Sequence, residues 1–152
     1  MRALRAWLVL IGVVAALGRI GPAVAGPAQE ADTVVGTWVA AFNANDVEAL
    51  VRLYTADATL LGTSSPVLSE GTAAIHAYFS RLAGSGNLVT PREMRTVVVG
   101  EDVVLVTGFY DFSRRASSAR GATARFTMLI VHRGGQWLIA HHHSSPRTSQ
   151  QN

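Results

Sequence analysis

The chain has 152 residues, which is enough for one domain and too few for two of ordinary size. It contains 13 Arg, no Lys and 10 acidic residues, so its formal charge is +3. Cys is absent, which excludes disulfides and thiolate metal sites.

The first 25 residues differ from the rest and are typical of a secretory signal peptide. Arg2 and Arg5 form a basic start, residues 6–18 are apolar and uncharged, and Ala-Val-Ala at residues 23–25 matches a signal-peptidase site. We therefore predict cleavage after Ala25 and a secreted or periplasmic protein. The alternative is an uncleaved membrane anchor. However, the apolar segment has only 13 residues before Arg19, which is shorter than a typical transmembrane helix.

Cleavage changes the charge of the chain. Three arginines leave with the segment and no acid does, which leaves 10 of the 13 arginines against 10 acids. The basic pI is therefore largely an effect of the signal peptide, and the mature part carries no basic patch of the kind that binds nucleic acid. We expect no nucleic-acid partner and, after cleavage, no membrane partner.

Three helices are predicted in the first half of the mature chain. Residues 26–31 are expected to be a linker, and Asp32 an N-cap for a helix through Asn43 with one apolar stripe: Val35, Trp38, Val39 and Phe42. Asp46 is expected to cap a short second helix with buried Val47, Leu50, Val51 and Tyr54. Thr72 is expected to cap a third helix to Ala83, whose inner side carries Ile75, Tyr78, Phe79 and Leu82.

Strands dominate the second half. A short strand at residues 58–61 and a polar loop at 62–66 precede the third helix; strands follow at 92–99 and 103–113, then an Arg-rich loop at 114–121. The last two strands flank Gly134-Gly135, a strong hairpin signal. Helices followed by a meander predict an α+β fold whose antiparallel sheet is covered on one face. Residues 32–147 form this domain, and the tail 148–152 is expected to be disordered.

Several stretches carry a family resemblance: WVAAFNAND at residues 38–46, LYTADA at residues 53–58, and GQWLI at residues 135–139. With the intervening strands they resemble the cone-shaped nuclear transport factor 2-like superfamily. The segment 135–145, with Trp137, His141, His143 and Ser145, is similar to the close of the association domain of calcium/calmodulin-dependent protein kinase II. The loop 62–66 and the string His-His-His-Ser-Ser resemble the bacterial, stand-alone relatives of that domain, the SgcJ/EcaC family.

The resemblance implies a curved sheet around a pocket, and a homo-oligomer, dimer or larger, formed through the outer face of the sheet. It does not imply kinase activity, because the sequence has no Gly-rich nucleotide loop, no catalytic-loop Asp and no room for a kinase domain. Met128 and Ser144 stand where the kinase association domain carries arginines. Those two pocket positions therefore have no charge here, which argues against a carboxylate ligand of the kind that the pocket of the kinase association domain accepts.

The faces of the last two strands depend on the turn between them. Because strand side chains alternate, His141 and His143 share one face and His142 lies on the other. A two-residue turn places Arg125 on the face of His142, whereas a three-residue turn with a glycine bulge places it with His141 and His143. We favour the three-residue turn because it gathers one apolar, concave face: Phe126, Met128, Ile130, Leu138 and Ala140.

This register predicts two groups of site residues. The ligand pocket is predicted to contain Trp38, Phe42, Tyr78, Tyr110, Met128, His142 and Ser144. An equally reasonable interpretation is that these side chains fill the core, with His142 hydrogen-bonded at its rim. The oligomer face is predicted to carry Arg125, His141 and His143, which would seek acidic or carbonyl partners across a two-fold axis.

Metal binding is not expected. His-x-His on a strand can bind zinc when a third ligand is present, but His132 has the wrong parity and His76 is on a helix. We therefore expect no metal and no cofactor.

Catalysis is the alternative to simple binding. Ketosteroid isomerase and the SnoaL-type cyclases share this scaffold and use an inward carboxylate as base. Here Tyr110 could be an electrophilic donor, and His142 is the inward group expected to titrate near neutrality and act as base. Asp57 is expected to cap a turn and Asp111 to point away from Tyr110.

Two functions are therefore predicted. The first is an exported, self-associating domain with a pocket for a small molecule. The alternative is a small isomerase or cyclase acting on an apolar or polyketide-like substrate, with His142 and Tyr110 as candidate catalytic residues.

Overall fold

A computed structural model describes residues 25–117 and 121–147, in which three helices pack on a curved six-stranded sheet. The helices are α1 (Pro27–Ala44), α2 (Val47–Val51) and α3 (Gly71–Phe79), and a 3-10 turn at Ser80–Leu82 extends α3. The predicted α+β, cone-shaped fold is confirmed. Residues 1–24 of the predicted signal peptide and the tail 148–152 lie outside the described residues.

The strands are β1 (Tyr54–Leu61), β2 (Leu68–Glu70), β3 (Asn87–Gly100), β4 (Val103–Arg114), β5 (Thr123–Arg133) and β6 (Gln136–Pro146), in the sheet order β2-β1-β6-β5-β4-β3. Neighbouring strands are antiparallel except β1 and β6, which are parallel. The first long strand therefore lies beside the last, and Leu60 pairs with His142.

Helix α1 begins at Pro27, five residues before the predicted cap at Asp32. Proline suits the first turn of a helix because the N–H it lacks would have no partner there. Ala31 is completely buried, so residues 27–31 of the predicted linker 26–31 belong to the packed helix. The Asp32 carboxylate accepts a hydrogen bond from the Thr96 hydroxyl of β3 at 2.6 Å instead of capping the helix.

The ends of the other helices agree only in part with the sequence pattern. Asp46 caps α2 as predicted, since its carboxylate accepts the N–H of Ala49 at 2.9 Å. The predicted Thr72 cap is wrong, because α3 already begins at Gly71. Tyr54 is not on α2 but opens β1, a difference that affects the site described below.

The hairpin between β5 and β6 has its extra residue at an unexpected place. Arg133 pairs with Gln136 across Gly134 and Gly135, whose φ values of 59° and 78° match a two-residue turn. The favoured three-residue turn is therefore wrong. A bulge lies further along instead, where consecutive β5 residues pair with His141 and Ile139, so that Ala140 is the extra residue.

The bulge has the same effect on the site as the predicted turn. It reverses the alternation of β6, so that His142 and Ser144 are buried on the concave face. Arg125 accordingly shares the outer face with His141 and His143. The prediction that Leu138 and Ala140 lie on the concave face is wrong, because Ile139 is the fully buried residue there.

The core lies between the helices and the concave face of the sheet. Its largest fully buried side chains are Trp38, Leu50, Leu60, Ile75, Tyr110, Phe126, Met128, Ile130, Ile139 and His142. Within the described part of the chain, no helix is long and apolar enough to cross a membrane.

Candidate functional site

A cavity of about 470 Å³ lies between α1, the end of α3 and the concave face of the sheet. Its lining includes six of the seven predicted pocket residues: Trp38, Phe42, Tyr78, Tyr110, His142 and Ser144. The seventh, Met128, is completely buried in the core and does not line the cavity. The structure therefore brings together side chains from α1, α3, β4 and β6.

A chain of hydrogen bonds reaches His142 from the core. Nε1 of Trp38 donates to the hydroxyl of Tyr54 at 2.9 Å, and that hydroxyl lies 2.8 Å from Nδ1 of His142. An indole N–H can only donate, so the Tyr54 hydroxyl accepts from Trp38, and its own proton is available to Nδ1 of His142. With Tyr54 donating, Nδ1 is the acceptor and a neutral imidazole carries its proton on Nε2.

His142 is neutral at neutral pH. Burial, with smaller contributions from the neighbouring His141 and His143, lowers its pKa to about 3. The prediction that His142 titrates near neutrality is therefore wrong. The lone pair on Nδ1 is occupied by Tyr54, and Nε2 carries the proton. This arrangement makes His142 a neutral hydrogen-bond donor rather than a base.

Two buried polar atoms at the cavity have no partner among the described residues: Nε2 of His142 and the hydroxyl of Tyr110. Burial raises the pKa of Tyr110 well above its ordinary value, so the phenol keeps its proton. An unpaired buried polar group costs about 1–3 kcal/mol. The described residues therefore supply no hydrogen bond to either of these two atoms.

Aromatic packing holds these two groups in place. The Tyr110 ring is stacked between Phe126 and Trp38, with ring centroids 4.1 and 5.4 Å away. His142 meets the Trp38 ring edge to face at 5.2 Å. Rings fixed on both sides lose little further freedom when a ligand binds, which favours a preformed site.

Tyr54 is the site residue that sequence reasoning missed. Its place on a predicted helix hid it, although the alternation of buried Ala58 and Leu60 in the following stretch is typical of a strand. Only the parallel pairing of β1 with β6 brings it to His142.

The rim of the cavity is formed by the β1–β2 loop and the end of α3. A Cβ added to Gly62 would lie 2.1–2.4 Å from atoms of the Tyr78 ring, so glycine allows this ring to pack on the loop. Arg81 lies over the same ring at 4.7 Å and donates to the Ser64 hydroxyl at 2.9 Å. Sequence reasoning identified Tyr78 but did not assign the loop or Arg81 to the site.

The charged residues that line the cavity are both arginines. Among the residues of 25–117 and 121–147, Arg81 and Arg114 line it and no Asp or Glu does. Asp111 is exposed and pairs with Arg92 at 3.0 Å, which agrees with its predicted outward direction. The predicted turn-capping role of Asp57 is wrong, because it lies within β1 and pairs with Arg133 at 3.1 Å.

The outer face of the sheet carries the residues predicted for self-association. Nδ1 of His141 lies 2.7 Å from the Thr59 hydroxyl, and Arg125 donates to the carbonyl of Pro146 at 3.3 Å. The strand pairing places three apolar side chains on the same face: Leu105, Phe109 and Leu129. In the described part of the chain, no three His, Asp or Glu residues cluster as metal ligands would.

A second depression, more open to solvent and of about 710 Å³, lies beside Trp137 at the β5–β6 turn. His132 and Asp102 in its wall pair with each other at 3.1 Å. The cavity of about 470 Å³, with its two unpaired buried groups, is therefore the stronger candidate for a ligand.

The SnoaL-like domain family matches the chain over residues 32–149. No curated protein matches the sequence. A solved structure of a candidate calcium/calmodulin-dependent protein kinase II association domain from Xanthomonas campestris is similar to it. The two sequences are 26% identical, the match covers 83% of this chain and 94% of the other, and the TM-score is 0.72.

Two further solved structures share the fold. A candidate dehydratase of the nuclear transport factor 2-like family from Streptomyces avermitilis is 17% identical, with 80% of this chain and 96% of the other covered and a TM-score of 0.70. A ketosteroid isomerase-like protein from Erwinia carotovora atroseptica is 18% identical, with 80% and 97% covered and a TM-score of 0.65. The resemblance inferred from the sequence motifs is confirmed.

Proposed function

The chain belongs to the SnoaL-like domain family, and we propose that it binds a small, largely apolar molecule that carries a carbonyl or similar oxygen. The observation behind this proposal is the pair of buried, unpartnered groups at one cavity, Nε2 of His142 and the hydroxyl of Tyr110. Both are neutral donors. One ligand oxygen has two lone pairs and can accept from both.

The rest of the cavity suits such a molecule. Its volume of about 470 Å³ lies in the range of small-molecule sites, and Trp38, Phe42 and Phe112 supply flat apolar walls. Since the two donors stand among aromatic rings, they would fix the orientation of the ligand, while the rings would supply most of the buried apolar area.

Binding is favoured over catalysis by the absence of a base. Isomerases and cyclases of this scaffold need a proton acceptor beside the polarised carbonyl. No carboxylate lines the described cavity, and His142 offers no free lone pair when Nδ1 accepts from Tyr54 and Nε2 carries the proton. The two donors alone could polarise a carbonyl, which keeps a small isomerase or cyclase as the second candidate. The names of the Streptomyces and Erwinia proteins point in the same direction.

Titration calorimetry with 2-acetylnaphthalene, an uncharged aromatic ketone, tests the binding proposal. We expect Tyr110→Phe to weaken binding about three- to tenfold, the effect of one hydrogen bond. Thr127→Val, which removes a hydroxyl from the outer face, is the matched control and should change nothing. Equal affinity in the wild type and Tyr110→Phe, or no binding at all, would contradict the proposal.

The catalytic alternative has its own assay. Conversion of a β,γ-unsaturated ketone into its conjugated isomer is followed by ultraviolet absorbance. Turnover that disappears in a His142→Gln/Tyr110→Phe double variant would support an enzyme and replace the binding proposal.

We also propose that the protein is exported and forms a homo-oligomer. Export rests on the signal-peptide pattern of the first 25 residues, and the mass of the protein recovered from the periplasm or medium would show cleavage after Ala25. Self-association rests on the outer face, where Phe109 and Leu129 lie beside Arg125 and no described helix covers the sheet. An apolar patch with a polar rim is the usual composition of a subunit interface.

A further inference from the structure

We propose that the ligand is an organic carboxylate, with its carbonyl oxygen at His142 and Tyr110 and its carboxylate at the mouth of the cavity, held by Arg81 and Arg114. This inference rests on the proposed function and adds the charge and the orientation of the ligand.

The two arginines reach the mouth from different elements. Arg81 lies on the 3-10 turn after α3, and Arg114 is the last residue of β4. Arg81 is positioned by its hydrogen bond to Ser64 and by the Tyr78 ring. Arg114 is positioned by Asn87, whose side-chain oxygen accepts from its Nε at 3.3 Å. Two arginines, each held by a side-chain hydrogen bond, therefore line one cavity.

Neither guanidinium is neutralised within the described ranges. Arg81 and Arg114 form no ion pair with the acids described there, whereas Arg92 and Arg133 each pair with an aspartate. Because no described Asp or Glu lines the cavity, the described lining carries a net positive charge. Guanidinium groups keep their charge at all physiological pH values and bind carboxylates with two parallel hydrogen bonds.

The orientation of the ligand follows from where its negative charge can be placed in the cavity. His142 is neutral and Tyr110 keeps its proton, so the inner end offers hydrogen bonds but no positive charge. Burying a carboxylate there would cost its hydration without a counter-charge. At the mouth the carboxylate stays partly hydrated and meets two cations. A ligand with one neutral oxygen and one carboxylate therefore enters with the neutral end first.

The positive charge is thus supplied by different positions from those the family comparison suggests. Met128 and Ser144, where the kinase association domain carries arginines, are uncharged, and Met128 does not reach the cavity. Arg81 and Arg114 lie outside all the sequence motifs that carry the resemblance. The two arginines are distant in the sequence and line a common cavity only in the folded protein.

The probe pair is 6-acetyl-2-naphthoate and its uncharged methyl ester, titrated by calorimetry into the purified full-length protein. We expect the acid to bind about tenfold more tightly than the ester at low ionic strength, in line with two partly exposed ion pairs. The advantage should shrink when 0.5 M salt is added, since exposed charges are screened.

An Arg81→Gln/Arg114→Gln double variant tests the residues themselves. It should bind acid and ester with equal affinity. Arg95→Gln, on β3 and outside the cavity lining, is the matched control and should keep the tenfold advantage. An advantage that survives in the double variant, or an ester affinity that falls by the same factor as that of the acid, overturns the assignment.

Different results would contradict the binding proposal and the carboxylate inference. If the ester binds, depends on Tyr110 and is matched by the acid, the carboxylate inference is wrong and the binding proposal stands. If neither probe binds the wild type, both are wrong.

Discussion

The phenol oxygen of Tyr54 lies 2.8 Å from Nδ1 of His142, although 88 residues separate the two along the chain. This contact decides the chemistry of the cavity. With Tyr54 donating, it occupies the lone pair of Nδ1 and leaves the proton of the neutral imidazole on Nε2, which has no described partner. Without Tyr54, His142 would be a candidate base; with it, His142 is a donor.

Removing the Tyr54 hydroxyl should destabilise the fold. Tyr54→Phe leaves Nε1 of Trp38 and Nδ1 of His142 buried without partners. Each orphaned group costs about 1–3 kcal/mol, so we expect the free energy of unfolding to fall by about 2–4 kcal/mol. Urea unfolding followed by circular dichroism measures the change. A loss below about 0.5 kcal/mol would show that the hydrogen-bond chain does not exist in solution.

Tyr110→Phe, in contrast to Tyr54→Phe, should not destabilise the fold. Its hydroxyl is buried and has no described partner, so Tyr110→Phe removes an unsatisfied group. We expect the free energy of unfolding to stay constant or rise by up to about 1 kcal/mol. The two Tyr→Phe variants form a matched pair within one aromatic cluster. Equal destabilisation of both would mean that Tyr110 has a structural partner and is not reserved for a ligand.

The stability of the protein should depend on His142 as pH falls. Burial lowers the pKa of His142 in the folded state from 6.5 to about 3. Between these values the unfolded chain binds a proton that the folded chain does not, so the free energy of unfolding falls as pH decreases. The full contribution is present above pH 6.5 and is lost by about pH 3.

A variant without the imidazole isolates this contribution. Relative to His142→Gln, the wild type should lose about 1.4 kcal/mol per pH unit between pH 6 and 4. Subtracting the variant removes the titration of the carboxylates, which both proteins share. Val67→Gln, at an exposed residue that does not titrate, is the control and should follow the wild type. Parallel curves for the wild type and His142→Gln would contradict the lowered pKa.

The rim of the cavity should respond to Gly62→Ala. The added methyl group would collide with the Tyr78 ring, which must then move from the mouth. We expect the affinity for 2-acetylnaphthalene to change at least about threefold and the stability to fall by about 1 kcal/mol, the cost of a modest steric conflict.

Gly36→Ala on α1 is the control for Gly62→Ala. Its added methyl group meets open space, so it should stabilise the helix by about 0.5–1 kcal/mol and leave ligand affinity unchanged. Identical ligand affinities in wild type and Gly62→Ala would show that Tyr78 does not form part of the binding site.

Self-association should be visible by light scattering at micromolar concentration. We expect a dimer or larger species in the wild type and a monomer in Leu129→Glu, because a buried charge without a partner opposes assembly. Val67→Glu changes an exposed apolar residue outside this face and should leave the assembly intact. A monomeric wild type would overturn the oligomer proposal.

The sequence predicted most elements because their signals are local. The apolar stripe of α1 and the Asp46 cap depend on residues a few positions apart, and so does the Gly-Gly turn. Predictions were wrong where a local sequence signal competed with packing in the core. Asp32 looks like a cap, yet the helix continues back to Pro27 because Ala31 packs in the core.

For the β5–β6 hairpin, the predicted faces of His142 and Arg125 are correct, although the predicted position of the extra residue is wrong. The prediction placed one extra residue at the turn, and the structure places it at Ala140. Either location shifts the alternation once, so His142 faces inward and Arg125 outward in both cases. Counting residues can show that the inward–outward alternation of side chains along β6 must shift once. The packing of Ile139 into the core determines at which residue this shift occurs.

By itself the sequence determined the family, the order of the elements and the two faces of the last strand, since each depends on spacing along the chain. Only the tertiary structure decided that His142 is a donor and that Arg81 and Arg114 share one opening with it. The reason is physical: burial sets the protonation of the imidazole, and the parallel pairing of β1 with β6 supplies its partner. Neither burial nor a contact between strands so distant in the chain can be read from neighbouring residues.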